Sequence, residues 1–312
     1  MGGKQKEKLI VVLGPTASGK TGLSIELAKQ FNTEVISGDS QLVYRGFDIG
    51  SAKPDMRERD GVVHHMIDIL PPDASFNVAD FIGRVKPIIT DINNRGKIPI
   101  LAGGTGLYIQ SLLEGYQFNE TAGDDRYRQK LEKLGEERGR QFLHDMLREV
   151  NPEAAERIHA NNIRRVIRAL EVYQLGGEQI STAKDNELVY DAYVAGLIWQ
   201  RQELYDRINS RVNIMLQQGL AHEVRRLLDS GISPDSQAMG GIGYKEMVNY
   251  VRGTGTLEQA EEDIKKGTRH FAKRQLTWYR RMPYVHWYHP AFYRGRGLAD
   301  NVSWNIARFF KG

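Results

Sequence analysis

Apolar residues fall along this chain at two different spacings, and the change from one to the other divides it. Residues 8–13 read KLIVVL, a short apolar run that stops at a glycine, as a buried parallel strand does. Over 21–31, Leu23, Leu27 and Ala28 are spaced for one helix face, so a helix follows. Residues 33–37 (TEVIS) are a second strand. A helix is predicted over 77–93, where Val78, Phe81, Ile82, Val85, Ile88 and Ile89 share a side. Residues 98–102 (IPILA) are a third strand, running into Gly103 and Gly104. Strand, helix, strand, helix, strand is the alternation of an α/β fold with a parallel sheet flanked by helices.

From residue 121 the strand signals vanish and charged, helical periodicity takes over, with helices expected over 127–149 and 154–175. The expectation is an all-helical insertion domain at 121–187, with 1–120 and 188–312 forming the α/β core. Residues 193–198 (YVAGLI) return to the sheet. Helices follow over 203–218 and 221–229, then a glycine-rich loop at 239–243 (MGGIG) before another helix. A long basic helix or helix pair spans 257–281, and 284–288 (YVHWY) is the last strand. There is no internal repeat.

Composition adds limits. Of 312 residues, 40% are hydrophobic and 26% charged, which suits a soluble globular protein. No run of about 18 apolar residues offers a membrane span. The polar, lysine-rich start leads into a strand rather than a secretory signal. There is no cysteine, which excludes disulfides, zinc–thiolate sites and iron–sulfur clusters and fits a cytoplasmic protein. The net charge of +4 is a weak hint of an anionic partner.

The sharpest chemistry lies at Gly14-Pro15-Thr16-Ala17-Ser18-Gly19-Lys20-Thr21, which satisfies G-x-x-x-x-G-K-[ST] between a strand and a helix. Backbone N–H groups in such a turn converge on one point, and the helix dipole favours an anion there. Lys20 adds a charge, and Thr21 offers a hydroxyl to phosphate or magnesium. The motif names the anion, not the reaction. A nucleotidase normally carries a strand ending in an aspartate that holds magnesium. The strand at 98–102 ends in Gly-Gly-Thr-Gly instead, where Thr105 could bind an oxygen or position a base.

A carboxylate stands elsewhere, at Asp39, after a strand expected to neighbour the loop strand. It could take a proton from a nucleophile or merely cap a turn. Residues 157–168 carry Arg157, Arg164, Arg165 and Arg168 without an acid, and 265–281 carry seven Lys or Arg with Phe271, Trp278 and Tyr279 among them. Such stretches suit a nucleic-acid backbone or an ordinary solvated helix face. Arg207 and Arg211 share a helix side and could clamp a pyrophosphate, although i,i+4 pairing with acids such as Glu203 is the simpler reading. His64 and His65 face opposite ways on a strand and are read as structural.

Together these residues resemble the tRNA dimethylallyltransferases, also called tRNA isopentenyltransferases. The resemblance runs over nearly the whole chain: GPTASGKT at 14–21, ISGDSQLVYRGFDIGSAKP at 36–54, HHMIDI at 64–69, GGTGLYIQSLLEG at 103–115, RRVIRALEV at 164–172, LYDRINSRVNIMLQQGLAHEV at 204–224, GIGYKEM at 241–247 and AKRQLTWYRR at 272–281. It implies a P-loop NTPase-like core and transfer of a dimethylallyl group from dimethylallyl diphosphate to the N6 amine of the adenine 3′ of the tRNA anticodon. Residues 14–21 would hold the diphosphate with Arg211 as clamp, and magnesium would assist. Asp39 would be the general base, and Thr105 would support it. Positions matching tRNA contacts are Asp39, Ser40, Gln41 and Leu42; Thr105 and Arg128; Arg164, Arg165, Val166, Ile167 and Arg168; and Gly240, Gly241, Ile242, Gly243, Tyr244 and Lys245. The partners implied are the tRNA anticodon stem-loop and dimethylallyl diphosphate, with the protein expected to act as a monomer.

The chain departs from the family pattern at Leu42, where many members have Gln, and at Ser51, where many have Thr. Without cysteine it has none of the zinc finger of eukaryotic relatives, which makes it a bacterial type. Two further readings remain open on the residues alone. A small-molecule kinase would use the same loop and Asp39, and a relative could prenylate free adenine nucleotides.

Overall fold

The structure is a computed structural model and describes residues 6–116, 124–175, 188–293 and 297–311. Two compact units emerge, one from Met1–Gly115 with Asp185–Gly312 and one from Tyr116–Lys184. The ends of the expected insertion, 121–123 and 176–187, lie outside the described residues.

The larger unit holds a six-stranded parallel sheet in the order β3-β2-β4-β1-β5-β6. The strands are β1 Lys8–Leu13, β2 Val35–Ser37, β3 His64–His65, β4 Ile100–Gly103, β5 Asp191–Leu197 and β6 Val285–Tyr288. The apolar run of β1 has a reason: Leu9 to Leu13 are fully buried, because helices cover both sheet faces. α1 (Lys20–Gln30) packs Leu23, Leu27 and Ala28 against Ile10, Val12 and the helix at Gly297–Lys311, whose Val302 and Ile306 close that side. α2 is a single turn, Met56–Arg59. α3 (Val78–Asn94) begins in a capping box between Asn77 and Asp80 and buries Phe81, Ile82, Val85, Ile89 and Ile92. α4 (Gly106–Leu113) springs directly from the end of β4.

β1 and β2 are not neighbours. β4 lies between them, pairing Val12 with Ala102 on one side and Ser37 with Ala102 on the other. The expectation that the Asp39 strand adjoins the loop strand is therefore corrected. Thr105, just past β4, is instead interposed between the two.

The smaller unit is helical: α5 (Asp125–Arg138), α6 (Arg140–Val150), α7 (Pro152–Arg157) and α8 (Ile163–Gln174). The single helices expected over 127–149 and 154–175 each break in two. Gly139 takes φ 89° between α5 and α6, and Ile158 leaves the helical region at the end of α7. Leu131, Leu143, Leu147, Val166, Ile167 and Leu170 form its core. Glu171 is fully buried there, yet paired. It accepts hydrogen bonds from Arg128 at 2.9 Å, Arg168 at 2.7 Å and the Asp124 backbone at 2.9 Å. Burial alone would raise this carboxyl, but the arginine hydrogen bonds win and hold it below the usual range.

The larger unit continues with α9 (Arg201–Gln217), α10 (Leu220–Asp229), α11 (Tyr244–Val251), α12 (Leu257–Tyr279) and, after a 3-10 turn at Pro290–Phe292, α13 (Gly297–Lys311). The basic segment is thus one unbroken helix, not a pair.

Candidate active site

All six strands run parallel, so β1, β2 and β4 end at the same sheet edge and deliver the phosphate loop, Asp39 and Thr105 there together. The loop is shaped for an anion. Gly19 sits at the N-cap of α1 with φ 96°, a left-handed conformation that suits glycine, and no side chain caps the helix. The first amides of α1 are thereby left for a ligand. Surrounding side chains fix the loop from behind. Trp199 Nε1 donates to the Ser18 carbonyl at 3.0 Å, and Arg207 Nε donates to the Ala17 carbonyl at 2.8 Å. The Arg207 guanidinium also lies 4.4 Å over the Trp199 ring.

Arg207 and Arg211, four residues apart on α9, therefore divide their work. Arg207 is spent on the loop backbone, and Arg211 lines the cavity in front of it. Glu203 is not their partner: it caps the Gln200 amide at 3.2 Å and meets His289 at 3.2 Å. The simpler reading of the arginine pair is overturned.

The cavity measures about 410 Å³. Thr16, Lys20, Thr21, Asp39, Thr105 and Arg211 give it polar chemistry; Ile208, Val212, Met215, Ile242, Ile264 and Phe271 give it apolar surface. Lys20 Nζ donates to the Pro15 carbonyl at 2.9 Å. Burial depresses its ammonium from 10.5 to about 8, with Arg211 adding to the effect and Asp39 opposing it. Burial also pulls the Arg211 guanidinium below its usual value, against Glu58 and Asp39. Two cations held close in a desolvated place, with one carboxylate between them in charge, are configured for an anion that brings more negative charge.

Asp39 caps a turn and also faces the cavity. Oδ1 accepts the Gln41 amide at 2.9 Å, capping a turn, while the residue lines the cavity. A β-carbon on Gly104 would stand 3.7 Å from Asp39 Oδ2 and 3.9 Å from Lys20 Nζ, so the two groups converge on that point. Thr105 Oγ1 accepts the Ser40 amide at 3.1 Å.

Gln275, from α12, was not singled out by sequence, and it is a principal tie in the site. Its Oε1 accepts the Thr16 amide at 2.9 Å and its Nε2 donates to the Gly104 carbonyl at 2.8 Å. Tyr279 donates to the same carbonyl at 2.6 Å. The basic stretch 265–281 and the AKRQLTWYRR motif marked the segment but not this residue. Gln41, Leu42, Gly240, Gly241, Ile242 and Lys245 also line the cavity. Tyr244 differs: it is buried, its hydroxyl bound to Glu223 at 2.7 Å. In the smaller unit Arg164 and Arg165 are exposed, whereas Val166 and Ile167 are core. On α12, Lys266, Lys273 and Arg274 are exposed, as are Arg280 and Arg281 just past its end, while Lys265 is tied to Glu261. His64 and His65 bind the Val62 carbonyl at 2.9 Å and Glu34 at 2.7 Å. No cluster of three or more His, Cys, Asp or Glu able to hold a metal occurs among the described residues.

A phosphate loop at the carboxyl edge of a parallel sheet, with helices on both faces, defines a P-loop NTPase-like α/β protein. Models of two families match the chain: IPP transferase over residues 42–282 and isopentenyl transferase over 7–68. The chain belongs to the tRNA dimethylallyltransferase (IPP transferase) family. It is 52% identical over 288 residues, 91% of each chain, to a tRNA dimethylallyltransferase of Bacillus cytotoxicus. It is 53% identical over 291 residues, 92% of each, to that of Bacillus cereus. Its structure is similar to the full-length tRNA isopentenylpyrophosphate transferase of Bacillus halodurans, at 45% identity and TM-score 0.74, covering 98% of this chain and 97% of that one. A eukaryotic dimethylallyltransferase solved acting on tRNA matches at 28% identity and TM-score 0.81, covering 98% of this chain and 80% of that one.

Proposed function

We propose that the protein transfers the dimethylallyl group of dimethylallyl diphosphate to the N6 amine of the adenine 3′-adjacent to the anticodon in tRNA, releasing diphosphate. The observation that carries this reading is the shared cavity of Lys20, Arg211 and Asp39, an anion cradle facing a single base. A C–N bond forms at the allylic carbon as its C–O bond to diphosphate breaks, and the bonding pair leaves with the diphosphate oxygen. Lys20, Arg211 and the first amides of α1 bear the charge that grows on that oxygen. Asp39 orients the amine and takes its proton.

Thr21 lines the cavity with a hydroxyl, and Asp39 is its nearby carboxylate. Such a sparse protein set fits magnesium, which binds through one or two protein oxygens, water and substrate phosphate. When bound, the ion neutralises charge on the leaving diphosphate. Thr21 would hold it.

The exposed Arg164 and Arg165, the exposed cations of α12 and the 240–245 segment are assigned to tRNA. Arg128 and Arg168, each about 40% exposed, are assigned to tRNA as well. Val166 and Ile167 contribute through their backbone, since their side chains are packed. No helix among the described residues is long and apolar enough to cross a membrane. We place the enzyme in the cytoplasm as a monomer.

Incubation with labelled dimethylallyl diphosphate and, in parallel, tRNA, AMP or ATP tests the reading. Label entering tRNA alone supports it; label entering AMP or ATP overturns it.

A further inference from the structure

Glu223 does not line the cavity, yet two of its walls are built on this residue. It lies on α10 and is buried, at 4% exposure. Its Oε2 accepts the amides of Asp48 at 3.1 Å and Ile49 at 2.9 Å, and its Oε1 accepts those of Ile49 at 3.1 Å and Gly50 at 3.2 Å. Oε1 also accepts the Tyr244 hydroxyl at 2.7 Å, and that hydroxyl in turn accepts the Ser51 amide at 3.2 Å. The segment 48–51 is thus wrapped around one carboxylate and one phenol. The wrap is tight: a β-carbon on Gly50 would come within 2.6 Å of the Tyr244 ring, which packs on Phe47 at 4.7 Å.

Both arms of this knot reach the cavity. Gly50, Ser51 and Ala52 line it from one arm, and Gly241 and Ile242, just ahead of Tyr244, line it from the other. Val212 and Met215 of α9 complete the apolar surface. A carboxylate that organises three consecutive backbone amides is a rigid anchor, because each charge-assisted bond removes one freedom of the loop. Nothing in the transfer chemistry uses Glu223, and its place behind the walls gives it a separate task.

We infer that Glu223, acting through Tyr244, is a positioning residue that sets the spacing of these two walls and so restricts the donor to a five-carbon prenyl diphosphate. This rests on the transferase reading above. Loosening the knot lets segment 48–52 move away from the cavity, which admits a ten-carbon chain and weakens the grip on a five-carbon one.

The experiment compares wild type, Tyr244→Phe and Glu223→Gln with dimethylallyl diphosphate and with geranyl diphosphate, at saturating tRNA. Tyr244→Phe keeps the ring against Phe47 and deletes one hydroxyl. Glu223→Gln turns an acceptor into a donor facing backbone N–H groups. The expected result is a rise of about fivefold or more in KM for dimethylallyl diphosphate and a rise of about tenfold in the geranyl-to-dimethylallyl ratio of kcat/KM. A purely structural role would lower the melting temperature and the active fraction but leave that ratio unmoved. An unchanged ratio and donor KM in folded Tyr244→Phe overturns the inference, whether or not Glu223→Gln folds. Failure of wild type to label tRNA would instead overturn the transferase reading.

Discussion

The hydroxyl of Thr105 accepts the backbone N–H of Ser40 at 3.1 Å, so the residue after β4 holds the turn after β2. A second bond, from the Thr105 amide to the Gly38 carbonyl at 3.3 Å, brackets Asp39 from its other side. Thr105 thus holds the backbone on both sides of Asp39. Thr105→Val keeps the shape and removes the acceptor. It should lower kcat by about 10- to 100-fold through misplacement of Asp39, while stability falls by only about 1 kcal/mol. Thr105→Ser should restore most of the rate. Single-turnover transfer and thermal melts check both, and a Thr105→Val enzyme at wild-type rate would remove Thr105 from the site's machinery.

Lys20 makes the unliganded site sensitive to alkali. Its ammonium is depressed to about 8 from 10.5, chiefly by burial, so the free enzyme discharges it as pH rises through about 8. kcat/KM for the prenyl diphosphate should therefore decline above about pH 8. kcat should hold to higher pH, because a bound diphosphate stabilises the charged form. Stability moves the opposite way. The folded protein binds this proton less well than the unfolded chain, so the penalty is full below about 8 and fades as pH rises toward 10.5. Lys20→Met should accordingly be more stable than wild type at pH 7, by about 3 kcal/mol, with the gap closing near pH 10 and transfer lost throughout. A gap that widens with pH would contradict the buried-ammonium account.

The sheet was legible because its central strands are apolar on both faces. Leu9 to Leu13 in β1 and Val194 to Leu197 in β5 could be read as buried without knowing their neighbours. Strand order was not legible. Nothing in the composition of β4 says that it slips between β1 and β2, since three equally apolar strands can be ordered several ways. α4 and α13 were missed for different reasons. α4 begins in glycines, a poor helix signal. α13 opens with Gly297 after a segment of aromatic and arginine residues, and its apolar stripe is short. In the site, the loop and Asp39 stood out because their chemistry is local. Gln275 and Trp199 did not, because their partners, Thr16 with Gly104 and Ser18, lie 259, 171 and 181 residues away.

The tRNA surface should show a graded response to charge removal. Arg164 and Arg165 are exposed, whereas Arg128 and Arg168 hold the buried Glu171. The double variant Arg164→Ala/Arg165→Ala should weaken tRNA binding and reduce the slope of log K against log salt by about 1 to 2, with little change in melting. Arg168→Ala should cost stability as well, about 3 kcal/mol, because it takes a partner from a buried carboxylate. Binding titrations across salt and thermal melts separate the two effects. A slope unchanged in the double variant would exclude these arginines as phosphate contacts.

Asp39 caps a turn and is proposed as the base, and the choice of substitution separates the two. Its Oδ1 caps the Gln41 amide, so Asp39→Ala loosens the turn and also removes the base. Asp39→Asn can keep the cap and lose only the base. Both should bind tRNA nearly as wild type and transfer about 100- to 10,000-fold more slowly. A near-normal single-turnover rate in Asp39→Asn would end the base assignment. The same variant makes a second demand. Asp39 is the charge that opposes burial at Lys20, so its loss should drive the Lys20 ammonium further down. The alkaline decline in prenyl diphosphate binding should then begin at lower pH in Asp39→Asn than in wild type. An unshifted limb, measured by diphosphate titration without tRNA, would mean that the two groups are not electrostatically joined across the cavity.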